Sequence, residues 1–534
     1  MRRGFLPTRQ HSSPVPPEPG LMLASFTRRQ EFYIVLGLAL AVRLLDINAP
    51  FTSEHWIKQL QIAPIAKNFA TESMNVLWPK TDYSADRPAY IEIEFQLVTW
   101  LSAMLYKVFG IHEWCARLVT ISFSMAGMAL LYRLILMYLG PGPAIYGLVF
   151  YAFVPSSWYF SRVLMSEPLM LCFSIALVYA FSRYLATGSR RHFVWTVASG
   201  ALCFLVKLPA VMLVVPLLWL AQIKFRGQAL RRPDLWAIAV MSLLPAIAYY
   251  AHARMNIGRE YFTVGVGFGG GMWFSLDDFL KPGNYSLMLT RMVHDHLTPV
   301  GIVLLILGLV VGDRRRIPVT VFHVWLGVVA VYFVLVSGGN LRQNYYQLHM
   351  LPPAAALVGY GWHQLVQSQR FSPILSPLLL AVFVALCVWG VEPKFQQVTP
   401  IHACAAELNR LDPDKHPVLI FPAGYGCLYY FDRPGWVGRE GFGKPANEVP
   451  PEDIPGPDYI DARILRGARW AVYFDFDPAG QQPMIQEYLG ETFRQAERGP
   501  GYTIFDLTRT SDGQEYRPLS SDAGRKRFSL PWSD

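Results

Sequence analysis

The sequence is short of charge: only 16% of its 534 residues are Asp, Glu, Lys or Arg, against about 25% in soluble domains. Hydrophobic residues make up 53%, gathered in runs of transmembrane length, and that combination excludes an ordinary soluble domain. Cysteine is scarce too. Six scattered cysteines with no CxxC pair exclude a disulfide scaffold and a cysteine-based metal site. Cys172, Cys203 and Cys387 fall in apolar runs as small core residues. Cys404 and Cys427 fall in the C-terminal tail and would pair if it faces an oxidising compartment. A phosphate-binding loop is also missing. The stretch GVGFGGGMW (265–273) lacks the Gly-Lys-Ser/Thr ending and its strand–helix frame, so it reads as a flexible lid or a plain connector. No internal repeat stands out. The net charge of +9 does not point to nucleic acid, because the basic residues stand in short loops between apolar runs, where they orient a membrane protein.

What is present is a series of apolar runs. They cover 32–47, 117–138, 142–160, 166–186, 192–206, 208–223, 235–253, 298–312, 318–336, 346–366 and 372–390, which predicts a helical bundle of about eleven spans. Basic clusters at Arg28–Arg29, Arg183 to Arg191, Lys224 to Arg232 and Arg314 to Arg316 all fall on one side if 48–116 is a single outside loop. That arrangement needs the stretch 95–110, which contains Lys107, to lie at the interface or re-enter rather than cross. The expected organisation is a disordered cytoplasmic leader over 1–30, a transmembrane domain over 31–393 with the long first outside loop 48–116, and a small outside domain over 394–534. The first apolar run reads as an uncleaved signal anchor. In the tail, the runs VLIF (418–421), WAVYF (470–474) and YTIFDL (502–507) predict strands, and 401–411 and 459–468 predict helices, hence a small α/β fold.

The chemistry-bearing residues collect on the outside. The first loop carries Glu54, His55, Lys58, Asp82, Asp86, Arg87, Glu92 and Glu94 among aromatic residues, which suits a membrane-apposed cap over a site; its other reading is a solvated loop with surface ion pairs. SRVLMSEPLML (161–171) places Arg162 and Glu167 at the mouth of the fourth span. Glu167 serves either the site or the helix macrodipole. GGNLRQNYYQLHML (338–351) sets Arg342, Tyr345, Tyr346 and His349 at a helix entrance. That is either an aromatic belt with a snorkelling arginine or a phosphate site built from forked donors and hydroxyls. Lys207, in FLVKLP, is either a snorkelling terminus or part of an anion site. The triplet His294, Asp295 and His296 is a weak metal candidate, since adjacent helical residues diverge.

These stretches resemble the membrane-embedded GT-C glycosyltransferases, in particular the family 39 branch of protein O-mannosyltransferases and aminoarabinose transferases. The resemblance is carried by His55 with Lys58–Gln59, Ala66–Lys67–Asn68–Phe69, Pro79 with Asp82, Glu94–Phe95, FGIHEWCARL (109–118), SRVLMSEPLML and NYYQLHMLPPAA (344–355), in order over residues 32–390. The sequence departs from the pattern at Gln61, where relatives carry Asp, and at Gln96 and Ser166, where they carry Pro. The resemblance implies a multi-pass enzyme of a bacterial inner membrane, with its site on the periplasmic side. Its expected activity is single displacement of a sugar from a polyprenyl phosphate to a glycolipid, glycan or protein.

Such a displacement needs a carboxylate to take the acceptor proton, cations and hydroxyls for the leaving phosphate, and an apolar groove for the lipid. Glu54 is the first expectation for the base, with Asp82 next and His55 beside them. Lys58, Arg342, Tyr345 and Tyr346 are expected at the phosphate end, Arg162 and Glu167 on the far side, and Glu94 holding the loop. The outside loops supply enough carboxylates for a divalent cation, yet no ligand spacing singles one out, so the metal stays open. A lipid-linked glycan ligase or polymerase shares this topology. A flippase or transporter would place charges at mid-membrane and show paired repeats, which this sequence does not.

Overall fold

The computed structural model describes residues 19–85, 88–263, 273–311, 317–368, 374–397, 399–422, 426–438, 456–475 and 482–518. Asp86, Arg87, the arginines 314–316 and nearly all of the glycine-rich stretch 265–273 lie outside the described residues, as does most of the leader.

Each apolar run lies on helix, and local chemistry sets the breaks. Helix Glu113–Leu139 stops at Gly140, whose positive φ of 89° suits glycine alone. Pro155 divides the third run into helices Pro141–Phe153 and Pro155–Phe160. Five helices among the described residues are long and apolar enough to cross a membrane: Glu113–Leu139, Glu167–Thr187, Pro233–Ile257, Pro282–Val311 and Leu375–Phe395. The protein is thus a multi-pass membrane protein. The expected total of about eleven exceeds these five; the apolar helices Leu97–Phe109, Leu208–Lys224 and Val321–Leu335 are, over the described residues, shorter than the ~20 residues of a perpendicular span. The stretch 95–110 folds as helix Leu97–Phe109, whose 13 residues extend only about 20 Å, short of the ~30 Å hydrocarbon core.

The first loop packs over one end of the bundle. It comprises helix Trp56–Thr71, a short strand β1 (Ile91–Glu92) and helix Leu97–Phe109. β1 pairs in parallel with β2 (Phe262–Thr263), tying the loop to the segment after helix Pro233–His252. Helix Trp56–Thr71 buries Leu60, Ala63, Ile65, Ala66 and Phe69 against the bundle.

The C-terminal region forms a five-stranded sheet of β3 (Val418–Phe421), β4 (Gly435–Val437), β5 (Trp470–Phe474), β6 (Phe493–Gly499) and β7 (Tyr502–Thr510), ordered β4-β3-β5-β7-β6. β4, β3 and β5 run parallel; β7 is antiparallel to both its neighbours. Helices Ile401–Leu411, Pro457–Ile464 and Pro483–Thr492 accompany it. This layer seats directly on the first loop. A Cβ on Gly426 would stand 1.7 Å from the Leu60 carbonyl oxygen, so only glycine permits the approach. Nearby, the Phe51 N–H donates to the Tyr430 hydroxyl at 2.6 Å, and Lys67 pairs with Asp432 at 2.6 Å. All six cysteines remain thiols, so Cys404 and Cys427 form no disulfide.

Candidate active site

A cavity of about 700 Å³ opens where the first loop meets the bundle. Its lining combines a polar group, Lys58, Glu94, Lys207, Tyr345 and Tyr346, with an aliphatic group, Leu208, Val211, Met212, Val328, Val331 and Leu335. A pocket that is mostly apolar with a few convergent polar groups is the usual form of a ligand site, and here the aliphatic lining lies on the short apolar helices Leu208–Lys224 and Val321–Leu335.

Local structure explains how each polar group arrives. Helix Arg190–Val206 ends at Lys207, which is extended (φ −151°, ψ 100°) ahead of the turn containing Pro209. The lysine leaves the helix at that break, and its ammonium meets two carboxylates, Glu94 at 2.6 Å and Glu167 at 2.7 Å. Glu167 begins helix Glu167–Thr187 and is only 1% exposed, so the ion pair and not the macrodipole alone compensates its charge. Lys58, one turn into helix Trp56–Thr71, reaches the other Glu94 oxygen at 3.4 Å. The rings of Tyr345 and Tyr346 lie 5.7 and 5.9 Å from the Lys207 ammonium, within cation–π range. Burial pushes the Glu94 carboxyl up, but the charges and hydrogen bonds of Lys207 and Lys58 outweigh it and hold Glu94 well below the usual carboxylate range.

A second charged cluster lies beside the first. Lys394 bridges Glu54 and Asp295, both at 2.9 Å, and the Asn344 side-chain amide donates to Glu54 at 3.4 Å and to Asp295 at 3.3 Å. His55 adopts the left-handed conformation (φ 58°), rare for a residue with a Cβ and a sign of strain held by its surroundings. At that turn the two neighbouring side chains stay in contact, His55 Nε2 standing 3.5 Å from a Glu54 oxygen. Glu54 goes to Lys394, while His55 lines the cavity with its ring 5.4 Å from that of Tyr345. Burial pushes the Glu54 carboxyl up, yet the adjacent His55 and the Lys394 charge bring it down to about 2.

Of the residues expected from sequence, Lys58, Glu94, Tyr345, Tyr346 and His55 line this cavity, with Glu167 directly behind Lys207. Glu54 is adjacent but faces Lys394. Asp82 is not among the lining residues; it accepts a hydrogen bond from Asn68 at 2.8 Å, and its burial pushes its carboxyl up. Arg342 is exposed at the end of helix Ser337–Arg342. Arg162 donates to the Asp46 carbonyl at 2.6 Å and stands 4.7 Å over the Phe395 ring. Lys394 had no part in the expected site, Asp295 entered only as a weak metal candidate with His294 and His296, and Asn344 only as part of GGNLRQNYYQLHML and NYYQLHMLPPAA. The one signal for Lys394 was a lone lysine closing the last apolar run, in a position that reads as a membrane boundary.

The fold is that of the GT-C membrane glycosyltransferases. The model of the dolichyl-phosphate-mannose-protein mannosyltransferase family matches residues 96–273, and no curated protein matches the sequence. Among solved structures, ArnT from Cupriavidus metallidurans in its apo state aligns with a TM-score of 0.61 at 12% identity, over 89% of this chain and 97% of that one. The same protein bound to undecaprenyl phosphate gives 0.62 at 13% identity over the same shares. The Archaeoglobus fulgidus oligosaccharyltransferase in complex with zinc and sulfate gives 0.53 at 12% identity, over 88% of this chain and 72% of that one.

The zinc of that last structure invites a test of the carboxylates here. Lys207 sits between Glu94 and Glu167, and Lys394 between Glu54 and Asp295. Each pair thus already embraces an ammonium where a bridging ion would need free oxygens, and the donor set does not fit one. In the C-terminal layer Asp412, Asp414 and His416 place their ligand atoms within 4.8 Å of one another. There, too, a cation is in place: Arg433 holds Asp412 at 2.6 Å.

Proposed function

We propose that this protein is a glycosyltransferase that moves a sugar from a polyprenyl-phosphate carrier to a hydroxyl acceptor at the membrane surface. The observation that carries this reading is the mixed cavity, lined by two lysines and two tyrosines together with aliphatic side chains. Lys58 and Lys207 offer charge to a phosphate, Tyr345 and Tyr346 offer hydroxyl donors, and the aliphatic lining offers a bed for an isoprenoid. The undecaprenyl phosphate in the related ArnT structure supports the same lipid class here. A carboxylate of the first loop takes the acceptor proton as the anomeric carbon is attacked, and inversion follows from single displacement. The acceptor is a glycolipid, glycan or protein, and the enzyme belongs to a bacterial inner membrane with this site on the periplasmic face.

The test uses the purified full-length protein with a panel of radiolabelled polyprenyl-phosphate sugars and a membrane glycolipid fraction, reading release of lipid phosphate. Turnover with at least one monosaccharide donor is expected. Binding of donors without turnover, together with their movement across liposomes, would sink the transferase reading. Turnover confined to oligosaccharide carriers would make the protein a glycan ligase instead.

A further inference from the structure

Glu94 contributes the only carboxylate among the described residues lining the cavity. Glu54 turns away to Lys394, and Glu167 is sealed behind Lys207. Glu94 is also doubly restrained, with Lys207 on one oxygen at 2.6 Å and Lys58 on the other at 3.4 Å. Those same two lysines are the cavity's cations. A phosphate entering the cavity and the Glu94 carboxylate therefore compete for one pair of ammonium groups.

The consequence follows from charge and burial. At rest, Lys58 and Lys207 balance Glu94 and Glu167. A bound phosphate monoester draws hydrogen bonds from both lysines, and Glu94 loses the contacts that keep it ionised. What then remains is its burial, which raises proton affinity. Resting on the lipid-phosphate reading above, we propose that Glu94 is the general base of the transfer, masked by Lys58 and Lys207 until the donor phosphate draws them away. In the step, the acceptor hydroxyl oxygen bonds to the anomeric carbon and its proton passes to a Glu94 oxygen. The bond from the anomeric carbon to the phosphate oxygen breaks, and its electron pair leaves with the lipid phosphate against the two ammonium groups. When lipid phosphate departs, the lysines return to Glu94 and its proton is released to water.

This arrangement makes a prediction that a merely structural Glu94 does not share. The full-length protein, reconstituted in lipid nanodiscs, is compared as wild type, Glu94→Gln and Glu94→Asp. Undecaprenyl phosphate binding is measured by calorimetry, and turnover with each polyprenyl-phosphate sugar of the panel. Glu94→Gln releases Lys58 and leaves Lys207 with Glu167 alone, so it binds the lipid phosphate about tenfold more tightly, the order of one charged hydrogen bond, while turnover falls by about 10²–10⁴, the contribution of a general base. Glu94→Asp keeps the charge balance. It binds like wild type, turns over more slowly, and serves as the folded control should the glutamine variant misassemble. Weaker binding by Glu94→Gln, or turnover within tenfold of wild type, overturns the proposal. Absence of undecaprenyl phosphate binding by the wild type overturns the lipid-phosphate reading itself and the base assignment with it.

Discussion

Two regions of this molecule use the same device, a lysine clasped between two carboxylates, and they differ in access to the cavity. In the first, Lys207 lies between Glu94 and Glu167, with side chains 6%, 15% and 1% exposed. In the second, Lys394 lies between Glu54 and Asp295, at 8%, 29% and 16%. The first gains Lys58, which balances the charge and brings a second cation to the cavity. The second gains the neutral Asn344 amide, which donates to both acids, and the His55 ring 3.5 Å from Glu54. None of Lys394, Glu54 and Asp295 lines the cavity. On the proposed function the second clasp is a brace, linking the segment after helix Leu375–Val391 to the turn that presents His55. Under that reading, the same contact geometry serves binding where its carboxylate lines the cavity and anchoring where it does not.

The sharpest way to break that comparison is to remove each lysine. Lys207→Met leaves two carboxylates facing each other with almost no water. Turnover is expected to fall by 10³ or more, as when a group stabilising developing charge is lost, and stability by about 3–5 kcal/mol. Lys394→Met exposes a wetter pair, so about 1–2 kcal/mol and roughly a tenfold loss of turnover are expected. Lipid-phosphate release and thermal unfolding in detergent read both quantities. Equal losses in the two variants would erase the distinction between binding clasp and brace.

Glu54→Gln sharpens it further. If Glu54 serves through the brace, the variant retains turnover within about tenfold of wild type, because Lys394 keeps Asp295 as a partner. Loss of turnover comparable to that of Glu94→Gln would instead make Glu54 the base, as the first-loop sequence alone led us to expect.

Much of this architecture was legible from composition and period. The apolar runs lie on the helices, because a bilayer leaves the backbone no partner except itself, and VLIF, WAVYF and YTIFDL lie on β3, β5 and β7. Lys58, Glu94, Tyr345 and Tyr346 stood out because polar groups at the ends of apolar runs are few. The pairings were not legible. Glu54 and Lys394 are 340 residues apart, and nothing local ties a first-loop carboxylate to the close of the last apolar run. Asp82 and Arg342 look as functional in sequence as Glu94 does. What separates them is direction: Asp82 turns to Asn68 and Arg342 to the exterior. The left-handed turn at His55, which decides where Glu54 points, has no glycine to announce it.

The smallest expected difference between the two clasps is in acid. Glu54 is held at about 2, below its ordinary 4.5, so the folded state binds its proton more weakly than the unfolded chain does. Its stabilisation is therefore fully present above about pH 4.5 and is lost as pH falls toward 2. Glu94 is lowered as well and acts with the same sign over that window. Asp82 is raised by burial and acts with the opposite sign, recovering part of the loss once protonated. Thermal unfolding between pH 6 and pH 3 should therefore show a stability loss of about 1–2 kcal/mol attributable to Glu54, after allowance for its partial exposure. Lys394→Met should flatten that part of the acid limb, since it removes a charge that depresses Glu54, and should leave the Glu94 part in place. An acid limb unchanged by Lys394→Met and flattened by Lys58→Met would mean that the cavity clasp alone carries the acid response, and that the brace holds its helix by packing more than by charge.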